Sequence, residues 1–235
     1  DDHVKAPSEW VPIRGALEAV SRLNHAGWHA VVATNQAGIG RGMIDMASVN
    51  AIHAHMIKLA QAQGGRIDAV FFCPHTPEEH CDCRKPLPGM MLDIGQRYGL
   101  DLKNVPMVAD TLRDLEAAQS AGCEPHLVLS GRAAHLDEQQ LQQILATVPR
   151  TQVHRDLGAF AEGRYEEMEH PIDDFVGISL LGREPGVLVV HPATPYRTVA
   201  DIVAAAKAKP SEGEPAKSTC LAMNCWRPAP EPVPL

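Results

Sequence analysis

The sequence has no cluster of basic residues: its 235 residues hold 21 lysines and arginines against 29 aspartates and glutamates, for a formal net charge of -8. Nucleic-acid-binding proteins carry a basic patch or stripe, so this balance argues against that class. No apolar run reaches the ~20 residues that a membrane-spanning helix needs, and the first residues show no signal-peptide pattern. Neither a P-loop nor a G-x-G-x-x-G turn is present. The negative net charge does not argue against a phosphorylated small molecule as substrate, because a few local cations suffice to bind one.

The stretch from Cys73 to Met90, CPHTPEEHCDCRKPLPGM, concentrates metal ligands. Cys73, His75, Cys81 and Cys83 follow the spacing C-x-H-x5-C-x-C, and three thiolates with one imidazole form the ligand set of a closed, structural Zn²⁺ site. The alternatives are a disulfide pair or thiols without a ligand, but no disulfide scheme explains the histidine. A thiolate metal site suits a reducing compartment, so we predict a cytoplasmic protein.

Short apolar runs alternate with amphipathic helices along the first two-thirds of the chain. We predict strands at 29–33, 68–73, 105–109 and 126–129, and helices at 15–26, 46–63, 88–98, 112–121 and 137–145. This alternation is typical of an α/β fold with a parallel sheet. We therefore expect a Rossmann-like sheet with helices on both faces, and with the zinc loop inserted after the second of these strands.

Three polar segments lie beyond the ends of predicted strands. Thr34 opens the turn TNQAGIGRG, Lys85 follows the zinc ligands, and Asp110 comes directly after the strand at 105–109. The carboxyl ends of parallel strands meet at one edge of a sheet, so we expect these residues to lie together. Asp110, with Asp114 four residues later, offers oxygen ligands to Mg²⁺. Asp110 could also cap the following helix, and the turn at Thr34 taken alone is compatible with an ordinary βα loop.

Four motifs together resemble the haloacid-dehalogenase-type (HAD) phosphatases: EWVPIRGALEAVSRLNHAGW, VVATNQAGIGRG, DAVFFCPHTPEEHCDCRKPLPGM and ADTLRDLEAAQSAG. The resemblance spans about residues 1–160. It is closer to the zinc-containing branch that removes the 7-phosphate of D-glycero-D-manno-heptose 1,7-bisphosphate. It implies a phosphomonoester hydrolase of heptose and lipopolysaccharide biosynthesis, with catalytic Mg²⁺, structural Zn²⁺ and a small-molecule sugar phosphate as its partner. We expect a monomer.

The resemblance also assigns roles to individual residues. It implies that Thr34 donates a hydrogen bond to the transferring phosphoryl group, that Lys85 holds this phosphate, and that Arg84 recognises the substrate. It implies that Asp110 ligates Mg²⁺ with Asp114 in support. The expected substrate-binding set is Thr34, Asn35, Gln36, Ala37, Arg84 and Lys85.

The family's nucleophile has no counterpart in the sequence. The family attacks phosphorus with an aspartate of a D-x-D motif at the end of the first strand, and this sequence contains no D-x-D. Asp1 and Asp2 are adjacent and follow no strand. We therefore expect an N-terminally truncated copy that lacks the first, central strand and has little or no turnover. The alternatives are a histidinol-phosphate phosphatase, whose zinc loop is similar, and a catalytically dead, zinc-stabilised fragment or binding module.

The last third of the chain has a different character. We predict a phosphatase domain at 1–160, an unrelated appended segment at 161–210, and a disordered, proline-rich tail at 211–235. Residues 173–210 resemble a fragment of the solute-binding receptors of tripartite tricarboxylate transporters, with a strand at 186–190 and a helix capped by Thr198. We interpret this third as unrelated sequence joined to the phosphatase part, since about forty residues are too few to fold alone.

Overall fold

The computed structural model describes residues 4–166, 175–178 and 186–187. The strands are β1 His29–Asn35, β2 Ala69–Cys73, β3 Pro106–Ala109, β4 Glu124–Val128, β5 Gln152–His154, β6 Phe175–Ile178 and β7 Gly186–Val187. The helices are α1 Ala16–His25, α2 Ala37–Gly40, α3 Met46–Ala62, α4 Gly89–Tyr98, α5 Leu112–Ala121, α6 Glu138–Thr147 and α7 Leu157–Glu166. The predicted receptor-like helix, most of its predicted strand and the tail lie outside the described residues.

The strands form one sheet with the order β2-β1-β6-β3-β4-β5, and β7 pairs with β1. All neighbours along this order run parallel, whereas β7 runs antiparallel to β1. Helix α1 packs against both α3 and α7, while α4 contacts β2 and α5. The predicted Rossmann-like α/β fold, with helices on both sides of a parallel sheet, is therefore confirmed.

The core is built from the apolar runs that the sequence shows. The middle residues of β1 and all of β3 are buried, as in strands covered by helices on both faces. Helix α1 buries Leu17, Val20 and Leu23 at helical spacing. Among the described residues, no helix is long and apolar enough to cross a membrane.

Local capping fixes where the long helices begin. The Asp45 carboxylate accepts a hydrogen bond from the Ser48 amide at 2.7 Å, which starts α3 as predicted. Asp137 and Gln140 form the predicted capping box of α6. The sequence left Asp110 as a possible cap of α5. The capping side chain is instead Thr111, whose hydroxyl oxygen accepts a hydrogen bond from the Asp114 amide. Asp110 is therefore not a helix cap, and its carboxylate is available for another role.

The centre of the sheet differs from expectation. We expected the central strand to be missing, but β6 occupies the place between β1 and β3 and runs parallel to both. Strand β5 and helices α2 and α7 were also not predicted. Helix α7 crosses residue 160, where we placed the end of the phosphatase domain. The boundaries at 160 and 210 stay predictions.

A buried histidine joins β4 to the elements that follow it. His126 is fully buried and lies against the ring of Phe160, with ring centroids 5.0 Å apart. The Arg164 guanidinium can only donate, so the 3.3 Å contact makes His126 Nε2 an acceptor. His126 Nδ1 then donates to His154 Nε2 at 2.9 Å. Burial lowers the pKa of His126 to about 3, and the nearby Arg164 charge acts in the same direction.

Candidate active site

The polar residues predicted to share one sheet edge are buried there together. Thr34 lies near the carboxyl end of β1, Asp110 follows β3, and Asp114 lies in the first turn of α5. With Lys85 they are the buried residues on which the site depends, each at most 4% exposed. Charged groups are rarely this buried unless they are paired or bind an ion, so their burial marks a functional edge.

The Lys85 ammonium links the two sides of this edge. Its Nζ atom lies 2.8 Å from Asp114 Oδ1 and donates to the Ala33 carbonyl oxygen at 2.9 Å. Ala33 belongs to β1, whereas Asp114 belongs to the helix that follows β3. The ammonium therefore spans the gap between the two strands and places a positive charge beside Thr34, where an anionic phosphoryl group would need it.

The two carboxylate oxygens of Asp110 differ in their contacts. Its Oδ2 accepts a hydrogen bond from the Arg132 backbone amide at 2.8 Å, whereas its buried Oδ1 has no hydrogen-bond partner among the described residues. Burial, with a smaller contribution from the Asp114 carboxylate, raises the pKa of Asp110 to about 6, although the Arg132 amide and the Arg132 and Lys85 charges act in the opposite direction. A divalent cation would satisfy the orphaned oxygen and compensate the paired carboxylates, so these residues fit Mg²⁺.

The remaining predicted substrate residues make different kinds of contacts. Asn35 clamps the backbone of Lys85: its Nδ2 donates to the Lys85 carbonyl oxygen at 3.0 Å, and its Oδ1 accepts from the Lys85 amide at 3.1 Å. Gln36 and Ala37 are buried where α2 begins. The Arg84 guanidinium donates to the His75 carbonyl oxygen at 3.3 Å. The structure therefore gives Asn35 a positioning role, and the predicted substrate contacts of the four residues stay predictions.

The four predicted zinc ligands converge after β2. Their ligand atoms, from Cys73, His75, Cys81 and Cys83, all lie within 4.8 Å of one another. The short contacts among these atoms run from 3.4 Å between Cys83 Sγ and His75 Nδ1 to 3.6 Å between Cys73 Sγ and His75 Nδ1. Sulfur atoms at the corners of a tetrahedral zinc site are ~3.8 Å apart, because each Zn–S bond is about 2.3 Å. The cluster therefore fits a tetrahedral ion.

The thiols are not arranged as a disulfide. Cys73 Sγ and Cys83 Sγ each lie 3.5 Å from Cys81 Sγ, whereas a disulfide bond is about 2.05 Å long. Burial raises the pKa of Cys73, so this thiol resists ionisation unless a cation is present. Three crowded sulfurs and an imidazole are the donor set of a metal site.

The loop that carries the four candidate ligands, residues 73–83 and named the metal-binding loop, is anchored against the end of β1, α2 and α4. The Gln36 amide donates to the Cys73 carbonyl oxygen at 2.7 Å, and the Gly40 amide donates to the Pro74 carbonyl oxygen at 3.0 Å. At the other end, the Gly89 amide donates to the Asp82 carbonyl oxygen at 3.0 Å. A Cβ atom on Gly89 would collide with the Asp82 carbonyl oxygen, so only glycine fits there. The loop and the segment that carries Lys85 therefore form one packed unit.

Some of the site could not be read from the sequence. The amide of Arg132, which orients Asp110, comes from a segment after β4 that carries no motif. Asn35 stands inside the recognised TNQAG turn, but its clamp on Lys85 joins residues fifty positions apart. Both contacts depend on the tertiary fold. The one sequence signal for them is that the segments after parallel strands meet at the same edge of the sheet.

Comparison with known proteins identifies relatives over most of the chain. The family model described as HAD-hyrolase-like matches residues 82–159. A D-glycero-beta-D-manno-heptose-1,7-bisphosphate 7-phosphatase of Bordetella bronchiseptica is 48% identical over 168 residues, which are 71% of this chain and 90% of the relative. The protein of the same name from Pseudomonas aeruginosa is 48% identical over 132 residues, which are 56% of this chain and 74% of that protein.

Solved structures agree with these relatives. The crystal structure of D,D-heptose 1,7-bisphosphate phosphatase from B. bronchiseptica, complexed with magnesium and phosphate, superposes with a TM-score of 0.65 at 46% identity. The match covers 71% of this chain and 90% of that one. The buried phosphate-compatible edge and the parallel sheet are those of a HAD-type phosphohydrolase. The chain belongs to the heptose 1,7-bisphosphate 7-phosphatase family of these enzymes.

Proposed function

We propose that this site serves the Mg²⁺-dependent hydrolysis of a sugar phosphate, the 7-phosphate of D-glycero-D-manno-heptose 1,7-bisphosphate. The observation that carries the proposal is the buried Lys85 ammonium between Ala33 and Asp114, together with Asp110 Oδ1, which has no hydrogen-bond partner in the part of the chain that the structure describes. This arrangement offers a cation and a metal ligand to one phosphoryl group. The names of the relatives support the heptose substrate.

In this proposal each residue of the site has a separate role. The Thr34 hydroxyl donates a hydrogen bond to a phosphate oxygen, and Lys85 compensates the negative charge of the bound phosphoryl group. Asp110 would hold Mg²⁺ through its free oxygen, with Asp114 fixing Lys85. The metal, when bound, would neutralise charge on the transferring group. Arg84, held beside the metal-binding loop, would contact the rest of the substrate.

We propose Zn²⁺ as the ion in the four-ligand cluster. All four positions of a tetrahedral ion would be taken by protein ligands, so the site would be structural. Its role would be to keep the loop against β1 and α4 and so hold the Arg84–Lys85 segment in place. We also propose that the protein acts as a monomer. We propose a cytoplasmic location for it, since a thiolate zinc site suits a reducing compartment.

The 235 residues contain no D-x-D motif, so we propose that these residues alone bind the substrate and do not turn it over. Calorimetric titration with heptose bisphosphate and Mg²⁺ should show binding, and an assay of phosphate release should show no turnover above background. Histidinol phosphate, titrated in parallel, should bind more weakly. Turnover at the rate of the relatives, or tighter binding of histidinol phosphate, would contradict the proposal.

A second candidate function is binding without catalysis as the physiological role of the chain. The observation that favours it is the same absence of a nucleophilic D-x-D. An extended version, in which a hydrophobic strand ending in D-x-D precedes Asp1, separates the two candidates. Restored phosphate release from the extended version supports the hydrolase, whereas tight substrate binding with no release from either version supports the binding role.

A further inference from the structure

The sheet contains a strand-wide slot between β1 and β3. These two strands carry Thr34 and lead to Asp110, yet they are not neighbours in the sheet order. Two steps of about 4.8 Å separate them, so a single strand fits between their backbones. Whatever occupies this slot lies at the centre of the sheet and ends between the two halves of the phosphate site.

Strand β6 fills the end of the slot that is remote from the site. It pairs in parallel with β1 over His29–Val31 and with β3 over Met107–Val108. Both flanking strands belong to the buried core. A strand with neighbours on both sides satisfies backbone donors and acceptors that would otherwise be left buried and unpaired, so this pairing should stabilise the sheet.

Strand β7 fills the other end of the slot, next to the site. It pairs antiparallel with β1, so that Gly186 stands opposite Thr34 and Val187 opposite Ala33. Ala33 is also the residue whose carbonyl oxygen accepts a hydrogen bond from the Lys85 ammonium. The backbone of β7 therefore stands beside the two residues of β1 that border the phosphate position.

We propose that β6 and β7 form an internal plug, a strand pair from the C-terminal third that completes the sheet and competes with phosphate for the space beside Thr34. The competition rests on the proposed phosphate-binding function, whereas the completion of the sheet does not. By linkage, any ligand that needs the space beside Thr34 must weaken the pairing of β7, and loss of this pairing must strengthen ligand binding. Strands β6 and β7 are then part of the folded domain, and β7 is a negative regulator of its site.

The first experiment tests the strand pairing by amide hydrogen exchange. Val176→Pro removes a backbone donor in the middle of β6, whereas Val176→Thr keeps the donor and the β-branched shape. We expect the β1 and β3 amides to exchange at least tenfold faster in Val176→Pro than in Val176→Thr. Loss of protection throughout the sheet in the proline variant alone would also support the pairing. Equal exchange in the two variants would overturn the plug.

The second experiment tests the competition, with inorganic phosphate as the probe. Val187→Pro disturbs β7 alone, and Val187→Thr is its matched control. In the presence of Mg²⁺ we expect Val187→Pro to bind phosphate at least threefold more tightly than Val187→Thr. Equal or weaker binding would overturn the competition. If neither variant bound phosphate, the proposed function and the competition would both fail, while the exchange experiment would still decide the strand pairing.

Discussion

Replacing Lys85 by methionine tests the buried ion pair between Lys85 and Asp114 directly. The side chains of Lys85 and Asp114 are 1% and 3% exposed, and their charged atoms lie 2.8 Å apart. Methionine keeps most of the volume of lysine but leaves the Asp114 carboxylate buried without its cation, beside Asp110. Removing one partner of a buried pair costs about 3–5 kcal/mol, so we expect a loss of this size in the free energy of unfolding.

Urea unfolding measures this loss. With a slope of about 2 kcal/mol per molar urea, the midpoint of Lys85→Met should fall by about 1.5–2.5 M. Lys58→Met on the exposed face of α3 is the matched control and should change the free energy of unfolding by less than about 0.5 kcal/mol. The double variant Lys85→Met with Asp114→Asn should recover part of the loss, because position 114 then carries no buried negative charge that has lost its cation. A cost below about 1 kcal/mol for Lys85→Met would refute the buried, paired lysine.

Three further outcomes are expected. Gly89→Ala should loosen the metal-binding loop and lower the melting temperature, because its Cβ atom would collide with the Asp82 carbonyl oxygen, whereas Gly163→Ala in α7 meets open space and should be neutral or slightly stabilising. His126 stays neutral in the folded state but protonates near pH 6.5 when unfolded, so stability should fall as the pH drops below 6.5. Between pH 7.5 and pH 5 the native chain should lose about 2 kcal/mol more than His126→Leu, and equal losses in thermal melts would contradict the buried neutral histidine. Purified protein should contain a single equivalent of zinc by a colorimetric assay, Cys81→Ser should lose it, and zinc-free native protein of full stability would show that the loop needs no metal.

The features that could be predicted from the sequence are those with local signals. Each predicted strand and helix of the first two-thirds has its counterpart, because apolar periodicity and capping residues such as Asp45 and Asp137 act within one turn or strand. The clustering of Cys73, His75, Cys81 and Cys83 was predictable for the same reason, since these four soft donors lie within eleven residues, and their role as zinc ligands stays a prediction. The shared edge of Thr34, Lys85 and Asp110 followed from the topology of parallel sheets.

The features that could not be predicted depend on contacts between distant segments. Strand β6 has a weak pattern of its own, and only the place left between β1 and β3 gives it a role. Thr111 instead of Asp110 caps α5, while the Asp110 carboxylate accepts a hydrogen bond from the Arg132 amide, 22 positions away in the sequence. In both cases the tertiary structure selected between locally acceptable alternatives.

Calorimetric titration of the chain with inorganic phosphate, with and without Mg²⁺, tests the central claim most directly. The account predicts that phosphate binds more tightly when Mg²⁺ is present, and that this dependence disappears in Asp110→Asn, which keeps the shape of the side chain but loses its charge. Phosphate binding that is independent of Mg²⁺, or that is unchanged in Asp110→Asn, would contradict the account.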